Sequence, residues 1–397
     1  MKKIFSICGV FLLVTIFVGT ACWGLDEVVE KKPFFLMEFT LVSGEKISPV
    51  NIGYETYGTL APSKDNVILI CHYYSGNSHA AGKYSPGDKA PGYWDAIIGP
   101  GKPLDTDKYF IVSSDTLCNM NPKNPLVITT GPASLNPKTG KPYGMSFPLV
   151  TIRDFINLQY KLLTYLGVKK LVAVTGASMG GIQSFEWAVA YPDFVERVIP
   201  IIATPKRHAW LVGWLKLWGD PIKLDPKWNN GDYYGGEAPT DGMTYSLMLI
   251  TLSAFWSPWA DGSFGSKWAD PSMDPYASMD NQFLVEAALY KRGLGRVKTA
   301  DANSMLYLNK ACTLFDIGHG FDSYEAALKT IKAKVLMIGV DTDVLFTDLA
   351  VKQDAEELKK AGVDAELFMI KSPLGHIGGV VHIGQASDAI KAFLADD

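Results

Sequence analysis

The sequence predicts an α/β fold, in which a mostly parallel central sheet is flanked by helices and interrupted by a helical insertion. Short apolar runs suited to strands buried on both faces alternate with amphipathic stretches of helical period. Residues 170–203 pass from strand to glycine-rich turn, helix and second strand without a break. The chain has 397 residues, of which 48% are hydrophobic, so it is long enough to bury one large core and carry the insertion.

Four apolar segments in the first third of the chain predict the first strands of the sheet. The first two have the pattern of an antiparallel pair joined by a turn at Ser43-Gly44-Glu45, and the other two that of short buried strands. These segments are 34–41, 50–57, 66–71 and 109–113. Loops rich in glycine and proline occupy 75–101 and 121–148, and long loops of this kind are often functional. Residues 151–166 predict an amphipathic helix packed on the sheet.

The turn within residues 170–203 carries the strongest functional pattern. Gly176, Ser178 and Gly180 form G-x-S-x-G between an apolar strand and a helix that Pro192 ends. The pattern alone is common, but strand, turn, helix and strand in this order is what the core of an α/β-hydrolase requires. We therefore predict that Ser178 is a nucleophile, rather than part of a glycine-rich helix start that binds nothing.

A serine nucleophile needs a histidine to accept its proton and an acid to orient that histidine. In this fold the acid and then the histidine follow the serine along the chain. His376 lies in a turn-rich loop between the last predicted strand and the last predicted helix, so it is the predicted base, with His382 as the alternative. Asp343 follows the strand before that and is the predicted acid, in preference to Asp341.

Backbone N–H groups must also stabilise the negative charge that develops on the substrate oxygen. We expect one from Met179, directly after the nucleophile, and one from Tyr74 in the loop after strand 66–71, with Tyr73 as the neighbouring alternative. Solvation explains the aspartates near 343 better than Mg²⁺ or Ca²⁺ does, and no Cys/His spacing suggests zinc. We expect no metal and no cofactor.

The composition changes near residue 206. From 206 to 303 clear strands are absent and tryptophans are frequent, which predicts a helical cap inserted between core segments 34–205 and 304–397. Trp210, Trp214 and Trp218 recur at helical spacing; they either pack the cap onto the core or line an acyl or aromatic pocket. The core pattern then resumes with a strand, a helix, a strand and a closing helix at 333–340, 348–361, 365–370 and 385–394.

The first residues predict export. Lys2-Lys3, the apolar run 4–18 and the small residues up to Ala21 have the form of a bacterial secretory signal covering 1–21. Cys22 opens a lipoprotein alternative, disfavoured because Gly19 stands where a leucine is usual. We therefore expect a periplasmic or secreted protein without a stable membrane span. The net charge of −4, spread without blocks, argues against a nucleic-acid partner. In an oxidising compartment Cys118 and Cys312 could pair.

Several motifs resemble the homoserine O-acetyltransferase family of α/β-hydrolases over most of the mature chain. They include Gly92-Tyr93-Trp94-Asp95, Leu104-Asp105-Thr106-Asp107-Lys108-Tyr109-Phe110, Gly131-Pro132-Ala133-Ser134, Thr151-Ile152-Arg153-Asp154 and the elbow itself. The resemblance implies that Ser178 is acylated, that His376 is the base and that Asp343 orients it. It also implies a homodimer.

Two departures from the family pattern bear on the substrate. The family has an aspartate after the catalytic histidine, for the homoserine amino group, where this chain has Ile377. The family also has an arginine that binds the substrate carboxylate. The corresponding position in this chain falls near Trp218 or Gly219, where no arginine is present. Leaving both ends of a zwitterion unpaired costs on the order of several kcal/mol. We therefore expect hydrolysis of an ester of a fairly apolar small molecule, in a pocket to which Tyr73, Trp210, Trp214 and Ile377 contribute. The alternatives are O-acyl transfer from acyl-CoA to an alcohol and a binding protein without catalysis.

Overall fold

An eight-stranded sheet forms the centre of the structure, a computed structural model that describes residues 28–396. The strand order is β1-β4-β6-β5-β7-β8-β9-β10, and β2 pairs with β3 in a separate hairpin. The strands are β1 (Lys32–Leu36), β2 (Phe39–Thr40), β3 (Lys46–Ile47), β4 (Val50–Tyr57), β5 (Val67–Cys71), β6 (Phe110–Ser114), β7 (Leu171–Ala177), β8 (Arg197–Ile201), β9 (Lys334–Val340) and β10 (Ala365–Ile370).

Helices cover the sheet and form the insertion. They are α1 (Ile152–Tyr165), α2 (Met179–Ala190), α3 (Ala209–Leu224), α4 (Thr240–Ala254), α5 (Ser257–Ser263), α6 (Leu284–Val297), α7 (Ala302–Leu314), α8 (Tyr324–Leu328), α9 (Asp348–Lys360), α10 (Gly378–Val381) and α11 (Ser387–Ala395). Short 3₁₀ turns add Gly144–Ser146, Pro226–Gly231, Gly375–Ile377 and Ile383–Ala386.

The six neighbouring strands β6, β5, β7, β8, β9 and β10 pair in parallel, so their carboxyl ends lie along one edge of the sheet. Within this sheet, the two antiparallel pairs are β1 with β4 and β4 with β6. Every residue of β5 is buried, as expected of a strand covered on both faces by helices. The predicted α/β-hydrolase architecture is confirmed. Its loops after β5, β7, β9 and β10 therefore meet at the same edge, where ligands bind in folds of this kind.

The opening segment differs from the prediction. Residues 34–41 do not form one strand: β1 ends at Leu36 and pairs with β4, while β2 pairs only with β3 across the turn at Ser43-Gly44. The turn joins the short hairpin of β2 and β3, whereas β4 pairs with the segment before the break, from Lys32 opposite Tyr54 to Leu36 opposite Val50. The predicted helix after residue 150 is confirmed, and Thr151 begins it in a capping box with Asp154.

The insertion is helical where the sequence predicts a cap. Helix α4 packs on both α3 and α6, and α3 also packs on α7. Cys71, Cys118 and Cys312 are all free and buried, so the possible pairing of Cys118 with Cys312 is not formed. No helix within residues 28–396 has the length and apolar character needed to cross a membrane. The predicted signal at 1–21 and Cys22 lie outside the described residues.

Candidate active site

Ser178 occupies the turn between β7 and α2, at the carboxyl edge of the parallel strands. Its backbone has φ 56° and ψ −117°, which residues with a side chain seldom adopt. The turn is tight because β5 passes directly behind it. A Cβ atom on Gly176 would lie 2.4 Å, and one on Gly180 2.0 Å, from the carbonyl oxygen of Cys71. Both positions therefore require glycine for close approach of the backbone.

His376 and Asp343 follow two neighbouring parallel strands, β10 and β9, and are joined by a hydrogen bond. Both side chains are buried, and Nδ1–H of His376 donates to Oδ2 of Asp343 at 2.8 Å. The other carboxylate oxygen accepts from the backbone N–H groups of Leu345 and Phe346, at 2.7 and 3.1 Å. The carboxylate is thus held in place, and Nε2 of His376 is left to accept a proton.

The alternative acid and base have other roles in the structure. Asp341 accepts a hydrogen bond from the backbone N–H of Ser372 at 3.0 Å, and Nδ1 of His382 lies 2.8 Å from the Ser372 hydroxyl. Both therefore brace the loop that carries His376. Within residues 28–396, neither bonds to Asp343 or His376, so the geometry favours the predicted pair.

Phe346 connects the nucleophile to the base. Its ring stacks on the imidazole of His376 with centroids 5.7 Å apart, and it lines the cavity onto which Ser178 opens. The Ser178 hydroxyl makes no hydrogen bond to another described residue, as is common in hydrolases without substrate. The structure thus brings Ser178, Asp343 and His376 to one edge of the sheet, each after a different parallel strand.

The loop after β5 supplies the second predicted N–H group. The Tyr74 N–H has no acceptor among residues 28–396, and Met179 N–H is the first of α2 and has no intrahelical partner. The Tyr74 hydroxyl donates to α7, where the carbonyl oxygen of Met305 and Oδ1 of Asn309 lie 2.9 and 2.8 Å away. Tyr74 is therefore anchored to α7, and it lines the same cavity as Ser178.

His72 orients the peptide group that carries this N–H. It is fully buried, and burial lowers its pKa, so the imidazole is neutral. Its Nε2 accepts from the backbone N–H of Thr116 at 3.2 Å, which leaves the proton on Nδ1, 2.7 Å from the carbonyl oxygen of Tyr73. That carbonyl and the Tyr74 N–H belong to one planar trans peptide group. Holding the oxygen therefore fixes the direction of the N–H.

A small apolar cavity lies beside Ser178. Its volume of about 20 Å³ is room for about one water-sized group. Its lining includes Met179, Ile182, Leu211, Leu215, Trp218 and Cys312. Burial raises the pKa of the Cys312 thiol to about 12, so it stays protonated and does not compete with Ser178 as a nucleophile.

The three tryptophans of α3 have different roles: one lines the cavity and two pack the cap onto the core. Trp218 is buried, packs on Tyr74 with ring centroids 5.5 Å apart and lines the cavity. Trp210 and Trp214, the two predicted pocket residues, do not line it. Trp210 is largely exposed and its indole N–H donates to the carbonyl oxygen of Val344, while Trp214 packs edge-on against Trp210. They join the cap to the loop that carries the acid, which agrees with the packing alternative.

Comparison with known proteins places this geometry in a family. Residues 105–378 match the model of the alpha/beta hydrolase fold. The homoserine O-acetyltransferase of Carboxydothermus hydrogenoformans is 41% identical over 94% of this chain and 96% of its own length. The crystal structure of homoserine O-acetyltransferase from Bacillus anthracis is 40% identical, covers 94% of this chain and 99% of that chain, and superposes with a TM-score of 0.89.

The chain belongs to the homoserine O-acetyltransferase family of α/β-hydrolases. It is also similar to an esterase: the crystal structure of esterase E22 is 45% identical, covers 92% of this chain and 100% of that chain, and has a TM-score of 0.88. The resemblance inferred from the motifs is confirmed, and the chain is an α/β-hydrolase enzyme. Relatives of this family thus include both acyltransferases and an esterase.

The two departures from the family pattern have a structural setting. Ile377 is half-buried and packs against the apolar cluster beneath α10. Gly219 faces α7, where an added Cβ atom would lie 3.1 Å from Leu306 and 3.2 Å from Asn309, so the space is already filled. Within the described residues, neither position presents a charge to the site.

Sequence reasoning missed His72 and Phe346 as parts of the site. It considered Trp218 only as a member of the tryptophan stripe, choosing Trp210 and Trp214 for the pocket. His72 directly precedes the two tyrosines predicted for the oxyanion loop, and Trp218 continues the stripe of Trp210 and Trp214. These were usable signals. Phe346 offered none, because only the folded loop turns its ring onto His376.

Proposed function

We propose that this chain is an exported serine esterase on the homoserine O-acetyltransferase scaffold. His376 takes the proton of Ser178 as the serine attacks the ester carbonyl, and Tyr74 and Met179 N–H groups stabilise the oxyanion. The imidazolium then gives its proton to the leaving alcohol. Water, deprotonated by His376, then attacks the acyl-serine, and the imidazolium returns its proton to the Ser178 oxygen as the acid leaves.

The observation that carries this proposal is the apolar residue next to the base. Ile377 directly follows His376, and Gly219 is packed against α7, so an amino acid zwitterion would have neither predicted charged contact. A desolvated ammonium group without a partner is strongly disfavoured. The chemistry of the acyl-serine is unchanged by this, so water becomes the acceptor.

The cavity beside Ser178 supports a short acyl group. It is small, its lining is apolar, and none of its ionisable neighbours carries a charge. The methyl end of an acetyl group fits such a space, whereas a longer chain requires the cap helices to move apart. The proposed substrate is therefore a short-chain ester.

Turnover of p-nitrophenyl acetate by the mature protein tests the proposal. Steady hydrolysis without added alcohol is expected, with little product from acetyl-CoA plus homoserine. A burst of one p-nitrophenol per chain that stalls until an alcohol is supplied would contradict it and favour O-acyl transfer, the alternative suggested by the names of the relatives. If a fluorophosphonate labels a Ser178→Ala variant as well as the native protein, the nucleophile is misassigned.

Export is part of the proposal. Outside the cytoplasm acyl-CoA is scarce and water is abundant, which fits hydrolysis better than transfer. Expression of the full chain in a Gram-negative host should give a periplasmic protein whose new N-terminus follows Ala21. Processing blocked by an inhibitor of the lipoprotein signal peptidase would instead support modification at Cys22.

We also propose a homodimer that pairs the caps. The cap exposes an apolar groove lined by Leu224, Tyr245, Leu249, Leu252 and Leu289. Leu224 is 80% exposed, and a contiguous patch of this kind is typical of an interface rather than of scattered surface residues.

A further inference from the structure

Two arginines of α6 have no acidic partner among residues 28–396 and lie next to the cap residues Thr251 and Phe255. Arg292 and Arg296 are one helical turn apart and share a face of the helix. Within residues 28–396, no carboxylate oxygen lies within 4.0 Å of either guanidinium. Like charges at this spacing repel each other, so the pair needs a reason beyond helix stability.

On the cap side, the two arginines contact α4 and the segment that follows it. Arg296 donates to the hydroxyl of Thr251 at 3.2 Å, and the guanidinium of Arg292 lies 5.8 Å from the ring centre of Phe255. The peptide bond from Phe255 to Trp256 lies directly against Gly375, where an added Cβ atom would come within 2.8 Å. Gly375 has φ 71° and directly precedes His376, so the cap segment beside Arg292 is packed on the loop of the base.

The core side is the oxyanion loop. Burial raises the pKa of the Tyr73 phenol, and the positive charge of Arg296 opposes that rise, as it does for Tyr74. The Tyr73 hydroxyl makes no hydrogen bond to a described residue. Arg296 is itself half-buried and spends only one of its donors, on Thr251. The Arg296 guanidinium and the Tyr73 hydroxyl therefore both keep hydrogen-bond donors that no described residue uses.

We propose that Arg292 and Arg296 bind a carboxylate on the alcohol part of the ester, so that the substrate is an acylated hydroxy acid that lacks an ammonium group. Arginine forks recognise carboxylates in a bidentate manner, and desolvation strengthens the contact. The carboxylate belongs to the alcohol part because the acyl cavity is small and uncharged. Ile377 offers nothing to an ammonium group, so an amino acid is not the substrate. The inference rests on the proposed esterase function and narrows its substrate class.

Matched esters test this site. The 2-, 3- and 4-acetoxybenzoates are compared with the corresponding acetoxybenzamides, which have the same shape and no charge. For the best isomer we expect kcat/KM to be about tenfold or more higher for the carboxylate than for the amide, mainly through KM, in line with a charged hydrogen bond. Added salt should lower this preference.

Arg296→Gln and Arg292→Gln should each reduce the carboxylate preference towards unity, and Arg296→Lys should reduce it in part. Lys291→Gln is the matched control, because it removes the same charge from an exposed position of the same helix. A merely structural role for the arginines would slow both esters equally and leave the ratio as it is, which would overturn the proposal. Thermal unfolding of each variant separates loss of the site from loss of the fold.

The failure of this inference is distinct from failure of the esterase proposal. Hydrolysis of the amides without preference for any carboxylate overturns the arginine site and keeps the esterase. If no ester is hydrolysed, calorimetric binding of the hydroxybenzoates to native protein and to Arg296→Gln still decides. Equal binding, or none to either, refutes the site.

Discussion

Ser178 holds a left-handed backbone conformation that costs on the order of 1–3 kcal/mol for a residue with a side chain. Glycines on either side permit it, and β5 packed behind the turn prevents relaxation. The predicted acid is also held by the main chain. Asp343 accepts hydrogen bonds from two backbone N–H groups in addition to the one from His376. The reactive geometry is therefore built by the main chain as much as by the side chains.

Asp343→Asn should lower kcat by about a thousandfold to ten-thousandfold, because an amide in this position favours the wrong tautomer of His376. The measurement is ester hydrolysis under saturating substrate, with fluorophosphonate labelling of Ser178 slowed in parallel. Asp341→Asn is the control, since Asp341 bonds to Ser372 and not to the base. Equal losses in the two variants would contradict the assignment of the acid.

His72 offers a pair of variants that differ only in where they place an N–H. Asparagine can present its amide near the position of Nδ1 and keep the bond to the carbonyl oxygen of Tyr73, whereas glutamine reaches the position of Nε2 instead. His72→Asn should retain most of kcat, and His72→Gln should lose about tenfold to a hundredfold with little change in KM. Equal kcat in both, at equal folded fractions, would show that His72 does not position the Tyr74 N–H.

At the scale of elements, a buried ionic cluster fixes the loop after β5 to the sheet. Lys31, just before β1, bridges Glu55 of β4 at 3.1 Å and Asp115 after β6 at 3.4 Å. Asp115 accepts from the backbone N–H of Ser78, and Glu55 accepts from the Tyr84 hydroxyl at 2.6 Å. Strands β4 and β6 thus hold the segment that follows the oxyanion loop.

Lys31→Met should lower the free energy of unfolding by roughly 3–5 kcal/mol, because it leaves two buried carboxylates without their cation. Urea denaturation measures this. Lys46→Met removes a lysine whose pair with Glu38 is exposed, and we expect a change of about 0–1 kcal/mol. A similar small change for both would mean that the cluster does not hold the loop.

The same cluster contributes to stability in acid. Burial raises the pKa of Glu55, but hydrogen bonding to His79 and Tyr84 and the charge of Lys31 outweigh it, so the pKa is lowered overall. A carboxyl whose folded pKa lies below its unfolded value stabilises the protein above the unfolded value of about 4.3 and loses this as pH falls through the folded pKa. Glu55→Gln should therefore flatten the loss of stability below about pH 4.3, measured by thermal unfolding across pH. An unchanged acid limb would contradict this.

At the scale of the whole molecule, the cap does two things. Its inner face supplies Trp218 to the cavity beside Ser178, and α6 carries the two arginines that we propose bind a carboxylate. Its outer face leaves Leu224, Tyr245 and Leu252 exposed. A helix bundle with one face on the core and an apolar face outward is suited to self-association.

Light scattering on the purified mature protein should give twice the mass of one chain. Leu224→Glu combined with Leu252→Glu should give monomers, because a charge cannot be buried in an apolar groove without a partner. Leu349→Glu, at a position of α9 that is also largely exposed, is the control and should not change the mass. A monomeric native protein would refute the dimer.

The sequence by itself determined the fold class and the family, and it sufficed to propose Ser178 as the nucleophile with an acid and a histidine following it in the chain. Strand and helix periods are local properties, and the tight turn at Ser178 demands small residues that can be recognised without a structure. Asp343 and His376 could be predicted because the topology sends the ends of parallel strands to one edge. The motifs around them sufficed to recognise the family.

Only the tertiary structure decided what surrounds the triad. The division of residues 34–41, the choice of Trp218 over Trp210 and Trp214 for the cavity, and the bond from His72 to the oxyanion loop all depend on contacts between distant segments. The arginine pair is the clearest case. Helix α6 lies far from Ser178 in the chain, and only the folded structure shows that Arg292 and Arg296 have no acidic partner among the described residues. A local sequence pattern does not show which charged groups are unpaired, because the pairing of side chains depends on the packing of distant segments.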